Sequence, residues 1–222
     1  MTKRKIVDQP KLKLYYFNIK GKGEPIRLFC AYTGLELEDH RFASRDEFTT
    51  LKTEGKLSFG QVPLLEIDEK HQMVQSGAIL RYLAKLTGLY PEDPLEAAKV
   101  DAVFDQETDA FIGATVASYT TRFGIDLDDD AREKAFAMIS DEVLPRHLGN
   151  VETLLKASST GWLADTEEPS PADFVWYSRL ANYIPERKSL SDKIKSLEDF
   201  PLLKEFVAKF ESLEAIKEYH AK

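Results

Sequence analysis

The chain has 222 residues, of which 43% are hydrophobic and 31% charged, as in ordinary globular proteins. Its 30 basic and 38 acidic residues give a net charge of −8, which argues against a nucleic-acid partner, because such binding needs clustered basic residues. No segment approaches the roughly 18 apolar residues of a membrane span, and residues 1–8 lack the apolar region of a signal peptide, so we expect a cytoplasmic protein without a membrane partner.

The first predicted elements are a polar leader, a strand and a helix. Residues 1–10 are polar and form the leader. Alternation over residues 11–17 indicates a strand that carries Tyr16 on the same face as two leucines. The glycine-rich segment 21–25 ends the strand, and its proline suits the first turn of a helix that we expect over residues 26–34.

The next elements complete a small α/β domain. Residues 38–42 predict a second strand, and the polar stretch 44–59 predicts a loop with a short helical turn. Strands over 62–67 and 71–75 are joined by a tight turn, and a helix capped at both ends follows over 76–88. The order βαβ and then ββα therefore describes residues 11–88.

The rest of the chain has helical periodicity and no convincing strand. The proline-marked segment 89–94 is the expected linker, and 95–222 the expected all-helical domain. The fold class predicted is an α/β domain followed by an all-α domain. Amphipathic segments cover about 95–123, 129–157, 171–184 and 201–219.

Cysteine and histidine are too few and too scattered for disulfide or metal chemistry. Cys30 is the only cysteine, so the chain has no CxxC pair, and its place in the first helix suggests a small core residue. The four histidines lack the spacing of metal ligands. We expect no metal site.

Tyr16 stands at the carboxyl end of the first strand, where α/β sheets present ligand sites. A tyrosine there is more often only a core aromatic. The following turn carries Lys22, which is either a solvated side chain or a cation held beside Tyr16. A dinucleotide-binding loop is excluded because Ile26 replaces the third glycine of GxGxxG.

Two further segments can serve a peptide-like ligand. A proline at the start of a strand, as in Val62-Pro63, removes one ladder donor, and a cis bond would turn the backbone of Val62 towards a ligand. Gln75 and Ser76 begin a helix whose free N–H groups suit a carboxylate, although Ser76 alone is more often only a cap.

Three aspartates recur on one face of the predicted helix after residue 95: Asp101, Asp105 and Asp109. Like charges at this spacing cost about 0.2–0.5 kcal/mol per neighbouring pair. A solvated face is the default interpretation. The alternative is a cleft or interface that holds a cation.

The order and spacing of these motifs resemble the cytosolic glutathione S-transferases, most of all the sigma class, over nearly the whole chain from Lys11. The segments that carry the resemblance are Tyr16-Phe17, Gly21–Arg27, Glu38–Arg41, Phe59–Leu65, Gln75–Ala84, Val100–Asp105 and Ser170–Asp173. The resemblance implies a thioredoxin-like first domain that binds glutathione, with no metal. It also implies a helical second domain that supplies most of the site for a hydrophobic electrophile.

By the same resemblance, Tyr16 is expected to donate a hydrogen bond to the glutathione sulfur with Lys22 beside it. Asp109 is expected to reach the γ-glutamyl ammonium from the partner subunit of a homodimer. The other glutathione contacts implied are Phe48, Lys52, Gln61, Val62, Pro63, Gln75 and Ser76. The second-substrate pocket implied consists of Phe17, Lys22, Phe111, Val116 and Arg179.

The chain departs from the sigma-class pattern at four of these positions. Lys22 replaces an arginine and loses its bidentate contacts, and Phe48 replaces a tryptophan and its indole donor. Val116 stands where a prostaglandin-isomerising relative has an aromatic wall, and Arg179 where a small residue is usual. We therefore predict conjugation of small hydrophobic electrophiles in detoxification, or peroxide reduction, over prostaglandin synthesis.

Three alternatives stay open at this point. One is a non-enzymatic carrier or crystallin-like structural protein, which would not need Tyr16, Lys52, Gln75 and Ser76 together. Another is an isomerase of the prostaglandin D synthase type. The third is a glutaredoxin-like enzyme, which would need a cysteine where Tyr16 stands.

Overall fold

The computed structural model describes residues 9–221, apart from the side chain of Lys193. Most of the predicted leader therefore lies outside the described residues. Two compact units are present: residues 9–91 with 212–221 form the first, and Glu92–Glu211 form the second. The last ten described residues thus group with the α/β unit and not with the helices that precede them.

The first unit is built on a four-stranded mixed sheet in the order β2-β1-β3-β4. The strands are β1 (Leu12–Phe17), β2 (Leu37–Phe42), β3 (Leu64–Ile67) and β4 (His71–Val74). β1 pairs in parallel with β2 and antiparallel with β3, which is antiparallel to β4. Side chains along β1 alternate between buried and half-buried positions, and Tyr16 lies on the buried face as predicted.

Helices α1 (Glu24–Thr33) and α3 (Ser76–Thr87) end at glycines in the left-handed conformation, with φ of 75° and 72°. The segment expected as a loop with a short turn is instead a nine-residue helix, α2 (Arg45–Thr53). The hydroxyl of Ser44 caps α2 by accepting the N–H of Asp46 at 3.2 Å. No residue of α2 is fully buried, and its apolar side chains Phe48 and Leu51 are only partly buried, so the sequence gives a weak signal for this helix.

The second unit is helical, and the described residues after Val74 contain no strand. Its first helix ends earlier than the periodicity suggested, and π-helical turns over Ile139–Val143 and Arg179–Tyr183 interrupt two predicted segments. The short α9 was not predicted. The helices are α4 (Pro94–Ser118), α5 (Asp129–Met138), α6 (Leu144–Ala157), α7 (Pro171–Ser178), α8 (Ile184–Glu186), α9 (Asp192–Ser196) and α10 (Pro201–Ser212). The last helix, α11 (Glu214–His220), belongs to the first unit.

Each unit has its own apolar core. Leu14, Ile26 and Leu65 are fully buried in the first unit, and Trp176 and Phe174 in the second. The predicted fold class, an α/β domain of the βαβ-ββα type followed by an all-helical domain, is confirmed. Among the described helices, none is long and apolar enough to cross a membrane.

Candidate active site

Tyr16 lies near the end of β1 with only 7% of its surface exposed. Its hydroxyl oxygen accepts a hydrogen bond from the backbone N–H of Lys22 at 3.0 Å. A phenol that accepts one hydrogen bond still has its own proton to donate. The half-buried Lys22 therefore contributes a main-chain contact to Tyr16, where the sequence suggested only a nearby charge.

The 3₁₀ turn Gly21–Gly23 is pressed against the ring of Tyr16. A Cβ atom on Gly21 would lie 2.7 Å from the Tyr16 hydroxyl, and one on Gly23 would lie 2.8 Å from Cδ1 of the ring. Gly21 also has φ of +44°, a conformation that glycine adopts readily. The two glycines therefore allow the backbone to approach the phenol closely.

Arg27 of α1 donates hydrogen bonds to the backbone just before this turn. Its Nη1 donates to the carbonyl oxygens of Ile19 at 3.1 Å and Lys20 at 3.4 Å, and to Oε2 of Glu24 at 3.1 Å. Its Nε lies 2.9 and 3.0 Å from the two carboxylate oxygens of Asp39. The guanidinium carbon lies 5.8 Å from the centroid of the Tyr16 ring, which places a buried cation beside the phenol.

The helix α2 and the loop before β3 meet at Lys52. A Cβ atom on Gly60 would lie 3.2 Å from Cε of Lys52, so the lysine stem passes directly over the loop. Gln61 follows in the loop with its side chain exposed, and the peptide bond between Val62 and Pro63 is cis, as predicted. Lys52 thus lies against Gly60, the residue that precedes Gln61–Pro63 in the chain.

Phe48 anchors α2 in an aromatic cluster. Its ring centroid lies 5.3 Å from that of Phe17 and 6.3 Å from that of Phe42. Phe17 is only half-buried, but alternation along β1 turns it away from the buried face that carries Tyr16. Phe48 and Phe17 therefore pack against each other beside Lys52.

Gln75 has an unusual backbone, with φ of 78° and ψ of 111°. Residues other than glycine in such regions cost about 1–3 kcal/mol and concentrate at functional sites. Gln75 is exposed and its carbonyl accepts the N–H of Ile79 at 3.0 Å, which starts α3 with Ser76 as first residue. The strained backbone marks this helix start as a candidate ligand site.

The acidic stripe lies on α4 in the second unit. Asp109 and Asp105 are exposed and Asp101 is half-buried. Asp109 lies close enough to His147 to favour its charged form, although burial, the larger effect, lowers the pKa of His147. Within its own unit, Asp109 is placed to face solvent or a second molecule.

The residues expected around an electrophile in the second unit are not equally accessible. Phe111 is only 1% exposed, and Arg179 packs against the rings of both Phe111 and Tyr183, with its guanidinium carbon 4.6 Å from each centroid. Arg179 also forms a buried ion pair with Glu107. Val116 is half-buried. Arg179 and Phe111 thus belong to one buried group, and Val116 keeps more accessible surface.

Sequence reasoning missed Glu24, Glu107 and Tyr219. Glu24 and Glu107 are charged residues that are almost completely buried, and each contacts a buried arginine. Tyr219 donates a hydrogen bond to Glu24 at 3.1 Å across 195 residues of chain. Only the position of Glu24 beside Pro25 in a helix start offered a signal, since the other two rely on contacts distant in sequence.

Cys30 is 2% exposed, and burial raises the pKa of its thiol to about 12. A buried, protonated thiol is a poor nucleophile, which argues against glutaredoxin-like chemistry. Residues 9–221 contain no cluster of three or more candidate metal ligands.

Comparisons with known proteins agree with this geometry. Residues 12–85 match the N-terminal domain of glutathione S-transferase and residues 118–222 match its C-terminal domain. A glutathione S-transferase of Anopheles gambiae is 34% identical over 96% of this chain and 97% of its own length. Glutathione S-transferase alpha-3 of Rattus norvegicus is 30% identical over 93% and 86%. The solved prostaglandin synthase D of Nilaparvata lugens has a TM-score of 0.80 at 29% identity, covering 96% of this chain and 98% of that one.

Proposed function

Because the chain belongs to the glutathione S-transferase family and is a glutathione transferase, we propose that Tyr16 stabilises the glutathione thiolate for attack on small hydrophobic electrophiles. The observation that carries this proposal is the position of the Tyr16 hydroxyl near the end of β1, where the backbone N–H of Lys22 donates to its oxygen at 3.0 Å. Conjugation in detoxification is the main activity proposed, with peroxide reduction as a possible second use of the same thiolate.

The chemistry explains why a hydrogen-bond donor is needed. The thiolate is the nucleophile, and a free thiol with a pKa near ~8.5 is mostly protonated at neutral pH. A hydrogen bond to the charged form favours ionisation, and lowering a pKa by about two units corresponds to about 2.7 kcal/mol. In this proposal Tyr16 supplies that bond, and the cations of Lys22 and Arg27 assist by their charge.

The remaining groups of the first unit suit the rest of glutathione. The backbone of Val62, beside the cis bond to Pro63, pairs with the cysteinyl amide in this proposal. The strained Gln75 and the helix start at Ser76 hold the γ-glutamyl carboxylate. Lys52, which lies over the loop before Gln61, faces the glycyl carboxylate, and Phe48 fixes the helix that carries it.

We further propose that the protein is a cytoplasmic homodimer, and the acidic stripe on α4 supports the dimer. Asp109 is exposed on α4, and a carboxylate from a second copy would give the γ-glutamyl ammonium its counter-charge. This role also explains why like charges are tolerated at Asp101, Asp105 and Asp109. Equilibrium sedimentation of the wild type tests whether the protein is a homodimer. The glutathione affinity of the Asp109→Asn variant tests the contact with the γ-glutamyl ammonium separately.

We place the chain in the sigma class on the strength of its Gln75–Ala84 and Val100–Asp105 segments. Of the residues expected around the electrophile, Phe17 and Lys22 belong to the first unit, and Phe111, Val116 and Arg179 belong to the second. The burial of Phe111 and Arg179 leaves Val116 as the most accessible of the three residues on the helical side. A small aliphatic wall of this kind suits small apolar electrophiles.

A second candidate function is isomerisation of a prostaglandin endoperoxide. The likeness to the prostaglandin synthase D of Nilaparvata lugens favours it, whereas Val116 and Arg179 argue against it. Turnover of the endoperoxide with glutathione, compared with a chloronitrobenzene under the same conditions, distinguishes the two. A higher kcat/KM for the endoperoxide would replace conjugation as the proposed activity.

The Tyr16→Phe variant tests the mechanism. Loss of a hydrogen bond to a charged group costs about 1.5–3 kcal/mol, so we expect conjugation at neutral pH to fall about 10- to 100-fold. Glutathione affinity changes little, because the other contacts remain. Tyr15→Phe is the matched control, since Tyr15 lies on the opposite face of β1 and contacts Glu66 at 3.5 Å.

Two results would contradict this proposal. Equal loss in Tyr16→Phe and Tyr15→Phe would mean that the phenol of Tyr16 has no special role. Glutathione binding by the wild type without turnover of several electrophiles would favour a carrier or a structural protein.

A further inference from the structure

A series of hydrogen bonds connects α11, the last helix described, to the proposed active site. Tyr219 of α11 donates its hydroxyl to Oε1 of Glu24 at 3.1 Å. The other oxygen of Glu24, Oε2, accepts from Nη1 of Arg27 at 3.1 Å. All three residues lie in the first unit, although Tyr219 is 192 residues beyond Arg27 in number.

The chain continues from Arg27 to the turn against Tyr16. The same Nη1 atom of Arg27 donates to the carbonyl of Ile19 at 3.1 Å and to that of Lys20 at 3.4 Å. These carbonyls directly precede the turn Gly21–Gly23, whose Lys22 N–H contacts the Tyr16 hydroxyl at 3.0 Å. The guanidinium of Arg27 therefore holds the two carbonyls that precede the turn and also lies beside the ring of Tyr16.

The charged groups around Glu24 explain why the orientation of its carboxylate depends on the hydroxyl of Tyr219. Glu24 and Arg27 are each 3% exposed, so the orientation of their ion pair depends on every hydrogen bond that the carboxylate accepts. Asp39 binds the far side of the guanidinium and is itself paired with Arg41 at 2.7 Å. Without the Tyr219 donor, Oε1 would lose a buried partner and the guanidinium could shift towards Asp39.

Burial raises the pKa of Tyr219, and the nearby charge of Glu24 adds to the effect. The phenol therefore stays protonated over the working pH range and acts as a hydrogen-bond donor. The Tyr219 hydroxyl donates to a carboxylate, and hydrogen bonds of this kind are stronger than those between neutral groups.

We propose that Tyr219 is a positioning residue for catalysis, which holds the Lys22 amide on the Tyr16 hydroxyl through Glu24, Arg27 and the turn Gly21–Gly23. This inference rests on the proposed role of Tyr16. It assigns the C-terminal helix α11 to the machinery that orients the phenol, and not only to the packing of the first unit.

The Tyr219→Phe variant removes the hydroxyl and keeps the ring. We expect kcat for conjugation to fall about three- to tenfold, the value for one hydrogen bond, with KM for glutathione changed less than about twofold. The pH midpoint for thiolate formation, measured by the ultraviolet absorbance of glutathione bound to the full-length protein, should rise. Tyr82→Phe is the matched control, since it removes the hydroxyl of another partly buried tyrosine of the same unit outside this chain of contacts.

A double-mutant cycle with Glu24→Gln tests the route of the effect. If Tyr219 acts through Glu24, the loss of kcat in the double variant is smaller than the product of the two single losses. A midpoint and kcat equal to those of the wild type in Tyr219→Phe would overturn the inference, even if its melting temperature fell. Absence of a thiolate signal in the wild type would overturn the proposed function as well, which separates the two failures.

Discussion

Each unit buries one glutamate–arginine pair, and the surroundings of the two pairs differ. In the first unit, the side chains of Arg27 and Glu24 are 2% and 4% exposed, and the guanidinium contacts main-chain carbonyls beside Tyr16. In the second unit, those of Arg179 and Glu107 are 12% and 1% exposed, and the guanidinium packs against two aromatic rings. The same ionic chemistry thus supports a backbone turn in one unit and an aromatic core in the other.

Among the variants that distinguish the two glutamate–arginine pairs, we expect Glu107→Ala to have the largest effect on stability. Removing one partner of a buried ion pair leaves the other charge without compensation and typically costs about 3–5 kcal/mol in the free energy of unfolding. The thiolate midpoint of bound glutathione should stay that of the wild type, because Glu107 belongs to the second unit and pairs there with Arg179. Urea denaturation and ultraviolet titration measure the two quantities.

The matched variant Glu107→Gln keeps the volume and one acceptor, so its loss of stability should be smaller. A thiolate midpoint that moves in Glu107→Ala as far as in Tyr219→Phe would remove the distinction between the two pairs.

Gly23→Ala tests the first pair at its contact with the phenol. A new Cβ would lie 2.8 Å from Cδ1 of Tyr16 and 3.2 Å from Nη2 of Arg27, so the ring or the guanidinium must move. Such overpacking costs about 1–3 kcal/mol in stability, and we expect kcat to fall more than glutathione affinity does. Denaturation and steady-state kinetics check the two effects, and an unchanged kcat would show that the turn does not orient Tyr16.

The opposite sign is expected for Gly149→Ala in the second unit. Gly149 lies inside α6, and a Cβ atom there would meet no atom within 4 Å. Alanine in a helix interior is favoured over glycine by about 0.5–1 kcal/mol, so the free energy of unfolding should rise by that amount without a change in kcat. If Gly149→Ala were destabilised, the space around each glycine would not explain why alanine is tolerated at Gly149 and not at Gly23.

The sequence sufficed for those parts of the fold that local patterns determine. Alternation placed Tyr16 on the buried face of β1, and periodicity predicted the helix α3. Ser76 was expected to cap that helix, but it is the first helical residue, and the N-cap residue Gln75 makes no side-chain capping bond. The helix α2 was missed because none of its residues is fully buried, and helix periodicity is a signal of burial. Its Ser44 cap was the available clue.

The candidate site was predictable only where its residues are close in sequence or carry a family motif. Tyr16 and Lys22 stand six positions apart, and both were named. Glu24 was passed over because a glutamate in the first turn of a helix ordinarily serves the helix dipole, and only the distant Tyr219 reveals its buried role. The contact between Arg179 and Glu107 joins two helices 72 residues apart and has no local signature.

The smallest effect on stability is expected at Asp165, which is an exposed carboxylate in the same unit as the buried Glu107. Asp165 accepts hydrogen bonds from the backbone N–H groups of Ser159 at 2.7 Å and Thr160 at 3.0 Å, and from the hydroxyl of Ser158 at 3.0 Å. These bonds, the one from Thr160 first, lower the pKa of Asp165 to about 2. The charged form is therefore favoured in the folded state.

The sign of the pH dependence follows from this shift. A carboxyl group whose pKa is lower in the folded than in the unfolded state stabilises the protein above pH ~4, and this contribution is lost as the pH falls towards about 2. Asp165→Asn keeps a residue that tolerates the local φ of 54° but removes the charge. Its melting temperature should lie slightly below that of the wild type at pH 6, with the difference shrinking as the pH falls from about 4 to 2. A difference that is independent of pH would assign the role of Asp165 to shape and not to charge, in contrast to the buried carboxylates.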